Sequence, residues 1–249
     1  GDYNGMNSFV NHDSWFDRKY REKLGLNRRF YSMKLALNLY FNLFNSRKSN
    51  SSVSMIPVDS IVETGCIREL NDYGAGYSTY VFADAICKEN TGYLFSVDNN
   101  KDNVNLCKKI LASDGLGLVT RRVDINCDDS IGFLNGFSRL IGLLYLDSLD
   151  FPIEVVDEYC NKEREGYSDY YTVLDDEVLK KHGDVILPAQ NHCLNELKTA
   201  EKNLSKGSIV LIDDNHFPGG GKSRLAKQYM QERGYTCLFD AHQTLWIHP

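Results

Sequence analysis

Apolar and aromatic residues recur at helical spacing near the start of the chain. Over residues 14–45, Phe30, Leu35, Leu37, Tyr40, Phe41 and Phe44 fall on helical faces, and a helix is expected there. The polar run Asn45–Ser54 reads as a linker. From residue 59 the pattern changes, and short apolar runs alternate with amphipathic ones. Strands are expected at Ser60–Glu63, Tyr93–Val97, Leu118–Val123, Ile141–Leu146 and Ser208–Ile212. Helices are expected at Ser78–Glu89, Lys101–Ala112, Ser130–Phe137, Ala189–Leu204 and Lys222–Arg233. Cys237–Phe239 and Thr244–Ile247 close the chain as a hairpin. The run IGLLYLD is apolar almost throughout, as suits a central parallel strand buried on both faces. Repeated β-α units predict an α/β fold: a doubly wound, mostly parallel seven-stranded sheet with a C-terminal antiparallel hairpin and an N-terminal helical cap. The expected division is a cap and linker over 1–58 and a sheet domain over 59–249. An insertion at about 151–188 breaks the rhythm. It carries Tyr159, Tyr167, Tyr170 and Tyr171, and reads either as a lid or acceptor-binding element or as a surface helix.

In such sheets ligands bind beyond the carboxyl ends of the strands, so chemistry is sought there. After the first strand comes ETGCIRELNDYGAGYST, Glu63–Thr79. Gly65, Gly74 and Gly76 let the backbone turn and approach a ligand, while Ser78 and Thr79 open a helix whose amides can meet an anion. The second strand ends in SVDNN, which places Asp98, with Asn99 beside it, to accept hydrogen bonds from ribose hydroxyls. A strict G-x-G-x-x-G is missing, and the stretch from Gly65 to Gly74 is too long for a tight pyrophosphate turn. A cofactor without phosphates fits better, which favours S-adenosylmethionine over NAD.

The fourth strand ends in LYLDSLD and the fifth in LIDDNHF. Adjacent parallel strands would bring Asp147 close to Asp213, Asp214 and Asn215, an oxygen-rich set that suits Mg²⁺. Asp and Asn also end strands for reasons of turn geometry alone. The stretch FPGGGKS (Phe217–Ser223) fails as a phosphate loop, because His216 stands where the first glycine would be. Its glycines are expected to turn beside the acceptor pocket, with Lys222 opening the next helix.

On these motifs, Glu63–Pro249 resembles the class I (Rossmann-like) S-adenosylmethionine-dependent methyltransferases, more narrowly the metal-dependent O-methyltransferases of the catechol and macrolide-sugar type. Glu63, Thr64 and Gly65 match their first motif, and Asp98 matches the acid ending strand two. DDSIGFL (Asp128–Leu134) resembles their third, so that Asp129 and Ser130 would border the adenine, with Asp124 the alternative. The resemblance implies an Asp after strand four and an Asp-Asp or Asp-Asn pair after strand five as metal ligands. It implies transfer of a methyl group to a hydroxyl of a small molecule, sugar or glycan. The catechol-type enzymes carry a Lys three residues after the strand-four Asp; here that position is Asp150, which leaves the base open. His192, His216 and metal-bound Asp147 are the other candidates. Two rival readings remain: an NAD(P)-dependent oxidoreductase using Asp98 for ribose, and a cofactor-binding module without turnover.

The chain has 249 residues, 42% hydrophobic and 25% charged, with a net charge of −6. That charge argues against a general nucleic-acid binder, although Arg18, Lys19, Arg21, Lys23, Arg28 and Arg29 crowd the N-terminal segment. No apolar run approaches the roughly 20 residues that cross a bilayer. Asp2, Asn7, His12 and Asp13 interrupt any signal-peptide core. Gly1 in place of Met suggests a cleaved product or a domain cut from a longer chain. Seven cysteines without a CxxC pair suit buried free thiols in a cytoplasmic, reducing setting. The aromatic N-terminal segment could cap its own pocket or swap onto a second copy in a homo-oligomer.

Overall fold

The computed structural model describes residues 14–49, 57–116, 121–159 and 175–249. Helix α1 (Trp15–Leu24) starts at Ser14, whose Oγ accepts from the Asp17 amide, and buries Phe16, Tyr20 and Leu24 at four-residue spacing. A π-helical turn, Gly25–Phe30, joins it to α2 (Tyr31–Ser49). The expected single helix is thus broken into two by that turn.

Alternation of β1 (Ser60–Thr64), α3 (Ser78–Glu89), β2 (Tyr93–Asp98), α4 (Lys101–Ser113), β3 (Val123–Cys127), α5 (Ser130–Gly136) and β4 (Ile141–Leu146) follows. Then come α6 (Ile153–Tyr159), α7 (Asp175–Ala200), β5 (Leu204–Ile212), α8 (Arg224–Glu232), β6 (Thr236–Asp240) and β7 (Thr244–Ile247). The strand order is β3-β2-β1-β4-β5-β7-β6, parallel except that β7 runs antiparallel to β5 and β6. This is the expected doubly wound, Rossmann-like α/β sheet with a C-terminal antiparallel hairpin. Consecutive strands lie on opposite sides of β1, so the order reverses between β1 and β4, where a crevice opens at the strands' carboxyl ends.

Period-two alternation divides the strand side chains between two cores. Ile61, Leu143, Tyr145, Ile209 and Leu211 face α1, α2, α3 and α4, whereas Val62, Leu144, Leu146, Val210 and Ile212 face α5, α7 and α8. Phe16, Tyr20, Met33, Leu37 and Tyr40 belong to the first core, so the described N-terminal helices are one of the sheet's covering layers.

Several boundaries differ from expectation: β5 begins at Leu204 rather than Ser208 and α8 at Arg224 rather than Lys222, and two further shifts are larger. The third strand runs Val123–Cys127, whereas the expectation was Leu118–Val123, of which 118–120 lie outside the described residues; Asp124 lies inside the strand, exposed. The apolar run Leu116–Val119 drew the expectation upstream, while the edge strand itself is half-buried and weakly patterned. The helix expected from Ala189 begins at Asp175 and continues through Pro188. Its apolar stripe, Val178, Ile186, Ala189, Cys193 and Leu197, is continuous across the proline and outweighs the single amide lost there. Half of the expected insertion is therefore regular helix; Tyr167, Tyr170 and Tyr171 fall outside the described residues. Among the described cysteines, Cys66, Cys107 and Cys193 are buried, whereas Cys127 and Cys237 are exposed, and all are free. No described helix is long and apolar enough to cross a membrane.

Candidate functional site

Residues from β1 and β2 build one half of the crevice. Glu63 is fully buried and accepts hydrogen bonds from the hydroxyls of Ser78, Thr79 and Ser96. Among the described residues no cation pairs with it, and burial pushes its carboxyl up to about 7 against the pull of those three donors. It ties the start of α3 to the sheet and is not itself at the crevice surface. Thr64 Oγ1 accepts from the Asp147 amide at 3.2 Å, joining β1 to β4. Gly65 follows at φ +86°, and a side chain there would strike the Asp147 carbonyl oxygen. Asp98 accepts from the Cys66 amide at 3.2 Å and the Asn100 amide at 2.8 Å, so it stands at the mouth of the crevice, half-exposed. Asn99 is exposed beside it. Gly76 packs on the Cys66 carbonyl, and Gly74 reaches the rim of the neighbouring cavity.

Asp129 caps α5 through the Gly132 amide at 2.8 Å. Ser130 Oγ lies 3.3 Å from His192 Nε2, which is also 2.9 Å from Ser148 Oγ. Ser148 in turn donates to buried Glu196 at 3.0 Å. His192 therefore braces the loop after β4 rather than lining the cavity beyond it.

That cavity, about 260 Å³, lies between the tips of β4 and β5. Asp147, Asp213, Asp214 and His242 share it with Arg28, Arg29 and Arg68, and Phe151, Ile153 and Phe217 give it an apolar wall. Asp213 is held on both oxygens by Arg29, at 3.0 and 2.9 Å, and also accepts from Gln243 at 3.1 Å. Although burial alone would raise its pKa, Arg29 and nearby His242 and Lys222 hold the carboxyl well below the usual carboxylate range. Asp214 adopts φ 55°, a left-handed conformation that Asp tolerates, and this turns the chain just past β5. Lys222 Nζ donates to Asp147 at 2.7 Å and to the Leu149 carbonyl at 3.1 Å, and lies 3.4 Å from Asp214. Burial opposes its charge, but the three carboxylates win and raise its pKa. Asp147 is raised, first by burial and then by Asp213 and Asp214, against the pull of Lys222. Burial lowers His242 to about 4, so its ring is neutral near pH 7.

The expected metal set is rearranged. Asn215 does not join the carboxylates: its amide donates to Asp240 and the Ala241 carbonyl, and its oxygen accepts from Ser223. An Asn just past a strand end is recruited here by the β6–β7 turn. One carboxylate oxygen each of Asp213 and Asp214 and one nitrogen of His242 come within 4.8 Å of one another. His242 Nε2 is buried without a hydrogen-bond partner. However, Arg29 already occupies Asp213, and the Lys222 ammonium already bridges Asp147 and Asp214. The described residues are charge-compensated from within the chain, and they do not fit a divalent ion in this arrangement. Asp150 lines the same cavity, largely exposed, and is bonded to Arg68. His216 is exposed and does not line the cavity.

Sequence reasoning missed Arg29, Arg68 and His242, and it gave Lys222 only a helix-opening role. The signal for Lys222 was its glycine run. Gly221, at φ +66°, has no room for a side chain against the Asn215 and Asp214 carbonyls, and this turns Lys222 back toward β4.

No family model matches the chain, and no curated protein matches it in sequence. Solved structures do resemble it in shape. The SAH-bound Podospora anserina methyltransferase PaMTH1 is 14% identical, aligned over 98% of this chain and 88% of its own, with a TM-score of 0.48. For the calicheamicin methyltransferase CalS11 the values are 12%, 89%, 80% and 0.48. For cofactor-bound Rv0187 from MTB they are 11%, 99%, 90% and 0.47.

Proposed function

We propose that the chain is an S-adenosylmethionine-dependent O-methyltransferase acting on a hydroxyl of a small molecule or sugar. One observation carries this reading. A half-exposed acid, Asp98, and a glycine-lined turn flank the β1–β4 switch point, and a cavity bearing a buried carboxylate opens directly beside them. Asp98 would accept from the ribose hydroxyls, and the Gly65–Gly76 loop would pass under the amino-acid end of the cofactor. The open loop lacks the tight glycine turn that a pyrophosphate needs.

The cavity has room for one sugar-sized ring, with Phe151, Ile153 and Phe217 against its apolar face and carboxylates against its hydroxyls. An acceptor hydroxyl would donate to Asp147. S-adenosylmethionine, when bound, would supply a methyl group to that oxygen and leave as a neutral thioether, its sulfur keeping the electron pair of the broken carbon–sulfur bond. The hydroxyl proton would pass to Asp147. Burial favours that transfer by making Asp147 more basic than an exposed carboxylate. Holding both reactants in line supplies much of the rate. His192 acts through Ser148, by fixing the loop that carries Asp147. No step here runs through the Mg²⁺ that the sequence suggested.

Calorimetric titration tests the cofactor. S-adenosylhomocysteine is expected to bind and NAD to give no heat; the reverse result would overturn the reading. Transfer of labelled methyl to a panel of sugars and phenols then identifies the acceptor.

A further inference from the structure

We infer that the working cation of the β4–β5 site is the Lys222 ammonium, built into the chain at the position a divalent metal would otherwise take. The inference deepens the proposed function, on which its catalytic meaning rests.

Three observations carry it. First, the ammonium is placed where a bridging ion would sit: Nζ is 2.7 Å from Asp147 Oδ1, 3.4 Å from Asp214 Oδ2 and 3.1 Å from the Leu149 carbonyl oxygen, so it contacts both strand ends at once. Second, it is held there. The side chain is only 2% exposed. The Lys222 amide donates to the Asp214 carbonyl at 3.0 Å, and Gln190 donates to the carbonyls of Gly219 and Gly221 at 2.9 and 2.8 Å. Ser223 bonds Asn215, so the turn is fastened on either side of the lysine. A long flexible side chain that loses its freedom in this way is fixed by design of the loop rather than by chance. Third, the remaining acid is already served, since Arg29 takes both oxygens of Asp213. A divalent ion would have to expel Lys222 and then lie beside a fixed guanidinium.

The consequence is an enzyme that keeps Asp147 aimed without a metal. Divalent ions should therefore be dispensable. Removing the ammonium while keeping most of the stem should uncover the latent metal position, with Asp147 and Asp214 as ligands and the unpartnered His242 nitrogen adjoining.

The test is Mn²⁺ binding, followed by the electron paramagnetic resonance signal of the free ion, in the unmodified protein, K222M and K222Q. The unmodified protein should leave Mn²⁺ free at millimolar concentration, and whichever of K222M and K222Q folds should take up one ion per chain. Mn²⁺ bound stoichiometrically by the unmodified protein would overturn the inference. So would folded K222M or K222Q that still leaves the ion free, because the ammonium would then not stand on a metal position. S-adenosylhomocysteine binding, measured separately in chelator and in excess Mg²⁺, should be equal in both. Its absence under both conditions sinks the cofactor reading alone, whereas binding that requires Mg²⁺ sinks the built-in cation.

Discussion

Glu63, just inside the tip of β1, and Asp213, just past the tip of β5, are both buried carboxylates, yet they are stabilised by opposite means. Glu63 is surrounded by neutral hydroxyls, and its carboxyl is pushed up to about 7. Asp213 is clamped by the Arg29 guanidinium and held well below the usual carboxylate range. The contrast extends to each half of the crevice. On the β1–β2 side, the buried acid meets the dipoles of hydroxyls and, among the described residues, no cation. On the β4–β5 side, Arg29 and Lys222 answer the acids from within the chain. Two acidic strand ends that look alike as text thus differ in what they still need.

The largest expected effect comes from breaking the second half. Lys222→Met leaves Asp147 and Asp214 buried without their shared cation, and the loss of one partner from a buried pair costs about 3–5 kcal/mol. Urea denaturation should show that loss in metal-free buffer and a partial recovery with Mn²⁺. A loss below 1 kcal/mol would mean that the ammonium is not the counter-charge.

Next is the seam between the halves. Gly65→Ala forces a side chain into a left-handed backbone and against the Asp147 carbonyl. The conformational penalty of about 1–2 kcal/mol and an overpacking cost of about 1–3 kcal/mol should together lower both stability and cofactor affinity. Full cofactor binding by the variant would show that the two halves are not registered through this contact.

How much of this was legible beforehand depends on range. Period-two and helical patterns located β1, α3, β2 and β4 closely, because central strands buried on both faces leave no alternative register. The edge strand β3 was misplaced because half-exposed Val123 and exposed Cys127 constrain the pattern weakly. Asp98 and Asp147 were legible because a local turn follows each. Arg29 and Asp213 are 184 residues apart in the chain, and nothing in local spacing announces a guanidinium delivered from a π-helical turn to a strand tip. Lys222 was in view, but its neighbours suggested a helix start. Only the positive φ of Gly221 turns it inward. The partners of Asn215 and Asp150 were unreadable for the same reason, since Asp240 and Arg68 reach them from distant segments.

The two buried acids also predict opposite pH responses. Because Glu63 is raised in the fold, from 4.5 to about 7, the folded state holds a proton that the unfolded state releases between those values. Its contribution is present below the unfolded pKa and is lost as pH rises toward 7, by up to about 3 kcal/mol. Asp213 behaves the other way: its folded pKa is depressed, so its contribution is present above the unfolded value and is lost only in acid. Glu63→Gln should therefore flatten the fall in stability between pH 4.5 and 7 while leaving acid unfolding unchanged. Equal pH profiles for the variant and the unmodified protein would show that Glu63 is not protonated in the fold.

The smallest effect separates the halves most cleanly. Asp98 is half-exposed and bonds the Cys66 and Asn100 amides and, more loosely, the Asn103 side-chain amide, with no charged partner among the described residues, so its removal should barely move the melting transition. If its remaining capacity serves ribose hydroxyls, Asp98→Ala should weaken S-adenosylhomocysteine binding by roughly 10- to 30-fold, the worth of hydrogen bonds to a charged group. Asp98→Asn keeps the shape and one acceptor, so it should fall between the two. Combining Asp98→Ala with Lys222→Met should give additive losses, and Mn²⁺ uptake should match that of Lys222→Met alone, because the two sites share no partner. Strong non-additivity would instead place Asp98 and Lys222 in one coupled network, and the division drawn between Glu63 and Asp213 would then describe two ends of a single electrostatic unit.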